Sequence, residues 1–218
     1  MKKTIVVISF LAVALAGCNN TPVKETTTQK SDSTTTTTTM AAPATAQPQT
    51  DSATIAKNLV ENTTPGDMQK MLDSLSGKWT GEVSSWYGEH APAQKNTTEC
   101  ENKMILDGRY LQRTRTQEVN GKTMEGMGII GYDNAKKMFV SSWQDNLSTG
   151  IMYLEGPYDA ATKTITLKGK WMNPATGSNT EVKETFKIID DNTHQVALYK
   201  VNEGGSDFKC WEMNLTRK

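Results

Sequence analysis

Histidine and cysteine are scarce in this chain: two His and three Cys among 218 residues. So few soft ligands exclude a rich metal site. Charge of one sign is also missing, because 24 Lys and Arg balance 24 Asp and Glu. Without a basic excess to neutralise phosphates, nucleic acid is not an expected partner. One apolar run near the start has no second of comparable length, which excludes a polytopic membrane protein. Nucleophile elbows, phosphate loops and metal-ligand clusters are absent, so no catalytic residue is assigned, no cofactor is called for, and a non-enzymatic role is expected. Aromatic residues are missing between Phe10 and Trp79. That gap splits the chain into a part that cannot build a core and a part that can.

The N-terminal part opens with Lys2 and Lys3, then an apolar run from Ile5 to Ala16. This run is short for a membrane span and suits a secretory signal. It ends Leu15-Ala16-Gly17-Cys18. Small residues directly before a Cys resemble the bacterial lipobox. The resemblance implies that residues 1–17 are a signal peptide, cut before Cys18, which then carries acyl chains. Each buried CH₂ contributes about 0.8 kcal/mol, so several chains anchor a protein stably. Asn19 follows Cys18 where an Asp would signal inner-membrane retention. The implied place is the bacterial cell envelope, on the outer membrane, with the membrane itself as a partner through the lipid anchor.

Residues 18–65 read as a tether. Nine of the fourteen residues from Thr26 to Thr39 are Thr, and an Ala/Pro/Gln stretch follows. Such composition buries too little apolar surface to offset its ordering entropy, so disorder is expected, with a loose helical turn at Ile55 to Val60. Asp32-Ser33-Thr34 and Asp51-Ser52-Ala53 resemble an O-glycosylation pattern of some bacteria.

Residues 66–218 hold 14 of the 15 aromatics and are expected to form one domain. Met68, Met71, Leu72 and Leu75 share one face of a helix over Asp67 to Ser76. Pro65 precedes it and Gly77 suits its C-cap. After the helix, ten strands are expected, beginning near Trp79, Thr97, Tyr110, Lys122, Met138, Thr149, Thr164, Thr180, Gln195 and Asp207. Turn signals such as Asn120-Gly121 separate them. The helix is expected to plug one end of the structure these strands build. Tyr132-Asp133-Asn134 and Tyr158-Asp159-Ala160 repeat between apolar runs, with Ile189-Asp190-Asp191 as a looser copy; each Asp can hold its turn by bonding the backbone two residues on. Ile165, Leu167, Gly169 and Trp171 alternate with polar residues, as do Val182, Phe186 and Ile188. The expected fold is all-β: an up-and-down antiparallel β-barrel of about ten strands with one short N-terminal helix. A two-sheet sandwich is the alternative.

Leu75-Ser76-Gly77-Lys78-Trp79, Ile105-Leu106-Asp107-Gly108-Arg109-Tyr110-Leu111 and Gly128-Ile129-Ile130-Gly131-Tyr132-Asp133-Asn134 follow one another in order. With Thr149-Gly150-Ile151-Met152 and the Tyr158 turn, they resemble the bacterial domain-of-unknown-function family 1579. The layout is similar, more distantly, to calycins, the group of lipocalins and fatty-acid-binding proteins. Gly77-Lys78-Trp79 resembles their Gly-x-Trp, and Arg217 stands where that group packs a basic side chain over the Trp. The resemblance implies a structural Arg217–Trp79 contact, and, at the level of fold alone, an interior that binds a small apolar or amphipathic molecule.

The side chains open to a functional reading follow from strand parity. Arg113 and Arg115 share parity with Leu111 and Val119, and Glu184 with Val182 and Phe186. Facing inward, they would be buried charge able to hold an acidic head group, as arginines do in fatty-acid-binding barrels. Turned the other way, the preferred reading, the strand would leave the arginines in solvent and bury Tyr110, Gln112, Thr114 and Thr116, a face no more apolar. Trp143 and Trp171 complete the candidate ligand-binding set. His194 reads as a turn or strand-edge residue; its other reading is an axial haem ligand in a barrel enzyme. His90 lies in a Gly/Pro loop. Cys100 and Cys210 flank the first strand, so two buried thiols are expected, and a disulfide would need that strand to end early or bend away. A solidly packed envelope interaction module is the alternative to a carrier.

Overall fold

The computed structural model describes residues 51–173 and 176–218. The signal segment, Cys18 and the Thr-rich tether lie outside the described residues, as does the Asp32-Ser33-Thr34 pattern. Two helices lead the described chain, α1 (Ser52–Thr63) and α2 (Asp67–Asp73). Eleven strands come after them: β1 (Gly77–Ser85), β2 (Gln94–Ile105), β3 (Tyr110–Val119), β4 (Lys122–Asp133), β5 (Met138–Asp145), β6 (Met152–Gly156), β7 (Tyr158–Asp159), β8 (Thr164–Asn173), β9 (Ser178–Asp190), β10 (Thr193–Lys200) and β11 (Phe208–Arg217).

The strands form one antiparallel sheet in which, β6 and β7 apart, neighbours in sequence are neighbours in space. It closes twice over. β1 pairs with β11, setting Trp79 opposite Arg217. At the other seam β6 pairs with β8, setting Leu154 opposite Gly169. Ten strands complete the ring, and two-residue β7 is an extra piece between them. Closure pairs each of the ten ring strands on both sides. The all-β up-and-down barrel expected from sequence is therefore the fold, and the sandwich is not.

The turns hold as their sequences require. Asp133 Oδ1 accepts from Ala135 N at 2.9 Å and Lys136 N at 3.0 Å. Asp159 Oδ1 accepts from Ala161 N at 2.9 Å, and Asp190 Oδ1 from Asn192 N at 2.8 Å. Asn120 and Gly121 both have positive φ, 52° and 74°, the mark of a two-residue hairpin turn.

Helix α2 plugs one end of the ring. Leu72 and Leu75 are fully buried there, with Met68 and Met71 packed partly against the core. The Leu75 carbonyl receives Trp79 Nε1–H and Asn102 Nδ2–H, each at 3.0 Å. Gln69 donates to the Tyr132 carbonyl at 3.0 Å. Arg217 lies over the Trp79 ring at 4.2 Å and donates to the carbonyls of Ser74, Ser76 and Asp191. It thus ties the end of the last strand to the helix exit. Gly77 differs from its expected C-cap role: the helix ends at Asp73 with Ser74 as its cap. Gly77 instead turns the chain into β1 with φ +121°, and a Cβ there would meet Arg217 Nη1 at 2.9 Å.

Residues 51–65, expected as the disordered end of the tether, also differ. The loose turn foreseen at Ile55 to Val60 is part of a twelve-residue helix with no buried residue. Asp51 caps it, accepting from Thr54 N at 2.9 Å and from Thr54 Oγ1 at 2.6 Å. Its far end is held by side chains from the plugged end of the barrel. Asn134 Nδ2 donates to the Glu61 and Thr64 carbonyls, and Arg109 Nη2 to the Thr63 carbonyl. These contacts satisfy carbonyls that a helix end leaves open. They act across the sequence, so local composition could not announce them.

Candidate functional site

The half of the barrel away from α2 encloses a cavity of about 650 Å³. Its polar content comes chiefly from β3 and β9. Along β3, Leu111 is fully buried and Arg113 is 8% exposed, while Tyr110, Thr114 and Thr116 are exposed. The arginine face therefore points inward, which corrects the outward orientation preferred from sequence: Glu184 and the indoles of Trp143 and Trp211, all on other strands, hold the guanidiniums inside. Along β9, Val182, Glu184 and Phe186 face the same interior.

Arg113 and Glu184 meet as a pair, Nη1 to Oε1 at 3.5 Å, with both side chains about nine-tenths buried or more. Arg113 Nη2 also donates to Ser141 Oγ at 2.9 Å. Taking both charges out of water is costly, and their mutual attraction offsets that cost only while both remain.

Arg115 has a different environment. Its guanidinium lies between the indoles of Trp143 and Trp211, 5.2 Å from each ring centre. Nη1 donates to Met213 Sδ at 3.0 Å, a weak acceptor, and Nε has no partner. Burial draws its pKa below the ordinary value, while Cys100, Glu184 and Asp145 pull it back through space. Arginine stays protonated in proteins, so the site holds a cation. Among the described residues, no carboxylate pairs with it.

Two glycines position this stack. Gly126 and Gly128 on β4 lie beside Trp143 on β5. A Cβ at Gly126 would meet the Trp143 ring at 2.2 Å, and one at Gly128 would meet it at 2.8 Å. Their bareness lets the indole lie against the wall and present itself to Arg115. Trp143 Nε1 donates to Asp145 Oδ2 at 3.2 Å, fixing the ring from its other edge. Trp171, Met124, Met152 and Phe208 supply apolar lining, and Tyr87 and Leu147, both largely exposed, stand where the cavity opens.

The candidate set of Arg113, Arg115, Trp143, Trp171 and Glu184 thus converges on one cavity. Trp79 and Arg217 sit at the plugged end. Sequence reasoning missed Trp211 and Ser141. Trp211 shares parity with buried Met213 and Leu215, a signal that was available. Gly126 and Gly128 carried a second signal, glycine at inward positions of a strand.

His194 is not the turn or strand-edge residue expected. It lies on β10, 2% exposed, against the floor of the cavity. Its ring stacks on Phe186 at 4.8 Å and meets Trp79 edge-on at 4.2 Å. Burial, then the charges of Arg113 and Arg217, lower its pKa from 6.5 to about 4, so the imidazole is neutral near pH 7. Nδ1 has no partner. His90 is exposed.

Cys100 and Cys210 are free. Cys100 pairs across from Trp79, whereas the Cys210 carbonyl accepts from Trp86 N. Seven residues of β1 separate those levels, roughly 23 Å, so no bridge can form. Burial raises both thiol pKa values, which keeps them unreactive. Among the described residues no cluster of three or more His, Cys, Asp or Glu could hold a metal ion, and no helix is long and apolar enough to cross a membrane.

The chain belongs to the DUF1579 family, described as proteins of unknown function, whose model matches residues 64–217. No curated protein matches it. Among solved structures it is similar to Rv2717c from M. tuberculosis, 15% identical, with a TM-score of 0.53 over 71% of this chain and 99% of that one. It is also similar to the S-type phycobiliprotein lyase CPES from Guillardia theta, 8% identical, with a TM-score of 0.51 over 74% of this chain and 97% of that one. At these identities the likeness is one of fold alone, a closed β-barrel.

Proposed function

We propose that this chain is a lipid-anchored carrier of the bacterial envelope that holds a small apolar or amphipathic molecule inside its barrel, without catalysing a reaction. The observation that carries the reading is the cavity. Its volume of about 650 Å³ falls within the roughly 300–1,000 Å³ of small-molecule sites, and like them it is mostly apolar with a few convergent polar groups. A barrel built only for strength would fill this space with side chains, as the end next to α2 does.

The lipobox-like segment supports the anchored part of the reading. Acylation at Cys18 would attach the chain to a membrane, and α1 joins the barrel at its plugged end.

Native mass spectrometry of the gently extracted protein tests the carrier. A copurifying species of a few hundred daltons, lost on solvent extraction, is the expected result. A protein that copurifies with nothing and takes up no apolar probe would overturn the reading. The same spectrum reads the N-terminus: acylated Cys18 is expected, and an intact residue 1 would remove the anchor.

Haem is a second reading, favoured by one observation: a neutral imidazole, His194, lines the cavity. Against it, the ring is held between Phe186 and Trp79. A Soret band in the purified protein would decide for haem.

A further inference from the structure

We propose that the cavity selects amphipathic organic anions and that Arg115 is the anchor for their acid group. The inference rests on the carrier reading and narrows it to a ligand class.

Five formal charges line the cavity: Arg113, Arg115, Lys200, Asp145 and Glu184. Arg113 and Glu184 neutralise each other at 3.5 Å. Arg115 is left over. A cation withdrawn from water is costly unless it is paired or hydrogen-bonded. Here the two indole faces and one thioether sulfur supply only part of that stabilisation. Glu184 and Asp145 act on it through space, but Glu184 faces Arg113 and Asp145 accepts from Trp143. The other charges that line the cavity are Asp145 itself and Lys200, which is exposed.

A bound carboxylate, sulfonate or similar oxyanion would complete the site. Guanidinium N–H groups form a planar fork that matches such oxygens. The sandwich between Trp143 and Trp211 holds that fork in one orientation, so little side-chain freedom remains to be lost on binding. The remainder of the molecule would lie on the apolar lining toward the mouth. Arg113 is then a structural member of an internal pair, and Arg115, held between the two indoles, is the cation placed to recognise a ligand.

Two probes of similar shape but different charge separate the ideas. 1-Anilinonaphthalene-8-sulfonate is an anion and N-phenyl-1-naphthylamine is neutral. Fluorescence titrations would use the mature chain, residues 18–218, carrying Cys18→Ser, which cannot be acylated. We expect Arg115→Met to weaken the sulfonate at least tenfold and the neutral probe less than twofold. Arg115→Lys, which keeps the charge but not the fork, should recover part of the loss. The paired replacement Arg113→Met with Glu184→Leu should leave sulfonate binding within threefold. Undiminished sulfonate binding in Arg115→Met, with the neutral probe still bound, would overturn the anion assignment and leave the carrier reading standing. Loss of the sulfonate in the Arg113/Glu184 variant alone would move the anchor away from Arg115 and also overturn it. If neither probe bound the parent protein, the carrier reading itself would fall. Should Arg115→Met lose its near-ultraviolet circular dichroism, the Lys variant and the paired variant carry the test.

Discussion

Along β3 the inward side chains read Leu111, Arg113, Arg115, Gln117 from the plugged end to the mouth. Along β5 they read Phe139, Ser141, Trp143. Each strand crosses two regions that obey the same alternation and the same hydrogen-bond ladder yet differ in content. Near α2 the interior is close-packed apolar matter: Leu72, Trp79, Leu111, Ile130, Phe139, Leu154, Ile165 and Leu167 are each no more than 1% exposed. Beyond the level of Arg113 the same strands enclose empty volume and charge. The barrel therefore divides its tasks by height. One half supplies the stabilisation that permits the other half to be polar and incompletely filled, and a functional site of this kind is where local rules of core composition are expected to break.

The largest effect that would sharpen this division comes from the packed half. Trp79 touches the plug through Leu75, the last strand through Arg217, and the floor through His194. Trp79→Ala or Phe139→Ala should cost about 3–5 kcal/mol, read as a lower midpoint in urea unfolding. A cost below about 1 kcal/mol at both would mean that this half does not carry the fold.

His194 stands at the boundary and gives the next effect, a dependence on pH. Its folded pKa of about 4 lies below the ordinary 6.5. Between those values the unfolded chain binds a proton that the folded chain does not. Stability from this group is therefore complete above about pH 6.5, falls as the pH drops, and is gone below about pH 4. Across that interval the loss is about 3 kcal/mol. Urea unfolding at pH 7 and pH 4.5 should show most of that loss, and His194→Phe should flatten it. An unchanged slope in the variant would place the pH dependence elsewhere.

The sequence disclosed the packed half better than the open one. Each of the ten expected strands has its counterpart, because alternation and turn residues are local and each Asp-led turn closes within three residues. The plug helix was legible in its Met and Leu spacing for the same reason. The site was legible as a parity question and no further. Arg113 and Arg115 could be placed on one face, but the opposite face of β3 was no more apolar, so the choice depended on Glu184, seventy-one residues away in sequence and opposite only after closure. His194 misled because acidic turn residues precede it, while its burial comes from Phe186 and Trp79 on neighbouring strands. Helix α1 was partly hidden likewise, since its anchors, Arg109 and Asn134, belong to distant turns.

Within the open half, the buried pair gives the next largest effect. Glu184→Gln leaves Arg113 charged and unpaired, and should cost about 3 kcal/mol in urea unfolding. Replacing both partners, Arg113→Met with Glu184→Leu, should recover most of that loss. If the single and paired variants were equally destabilised, packing rather than charge would govern the pair.

The smallest effect on stability tests the other side of the comparison. Trp171 is as large as Trp79 but only partly buried, and its inward surface already borders empty volume. Removing it opens little new cavity, since much of its surface has no packed neighbour to lose. Trp171→Ala should therefore cost about 1 kcal/mol, well below the value for a fully enclosed Trp. The neutral naphthylamine probe should meanwhile lose affinity severalfold, because its apolar contact is gone. The contrast between Trp79 and Trp171, the same substitution at opposite ends of one barrel, separates a side chain kept for packing from one kept for binding. Equal stability losses at the two positions would erase the division between the halves, and with it the argument that the open half is shaped for a ligand.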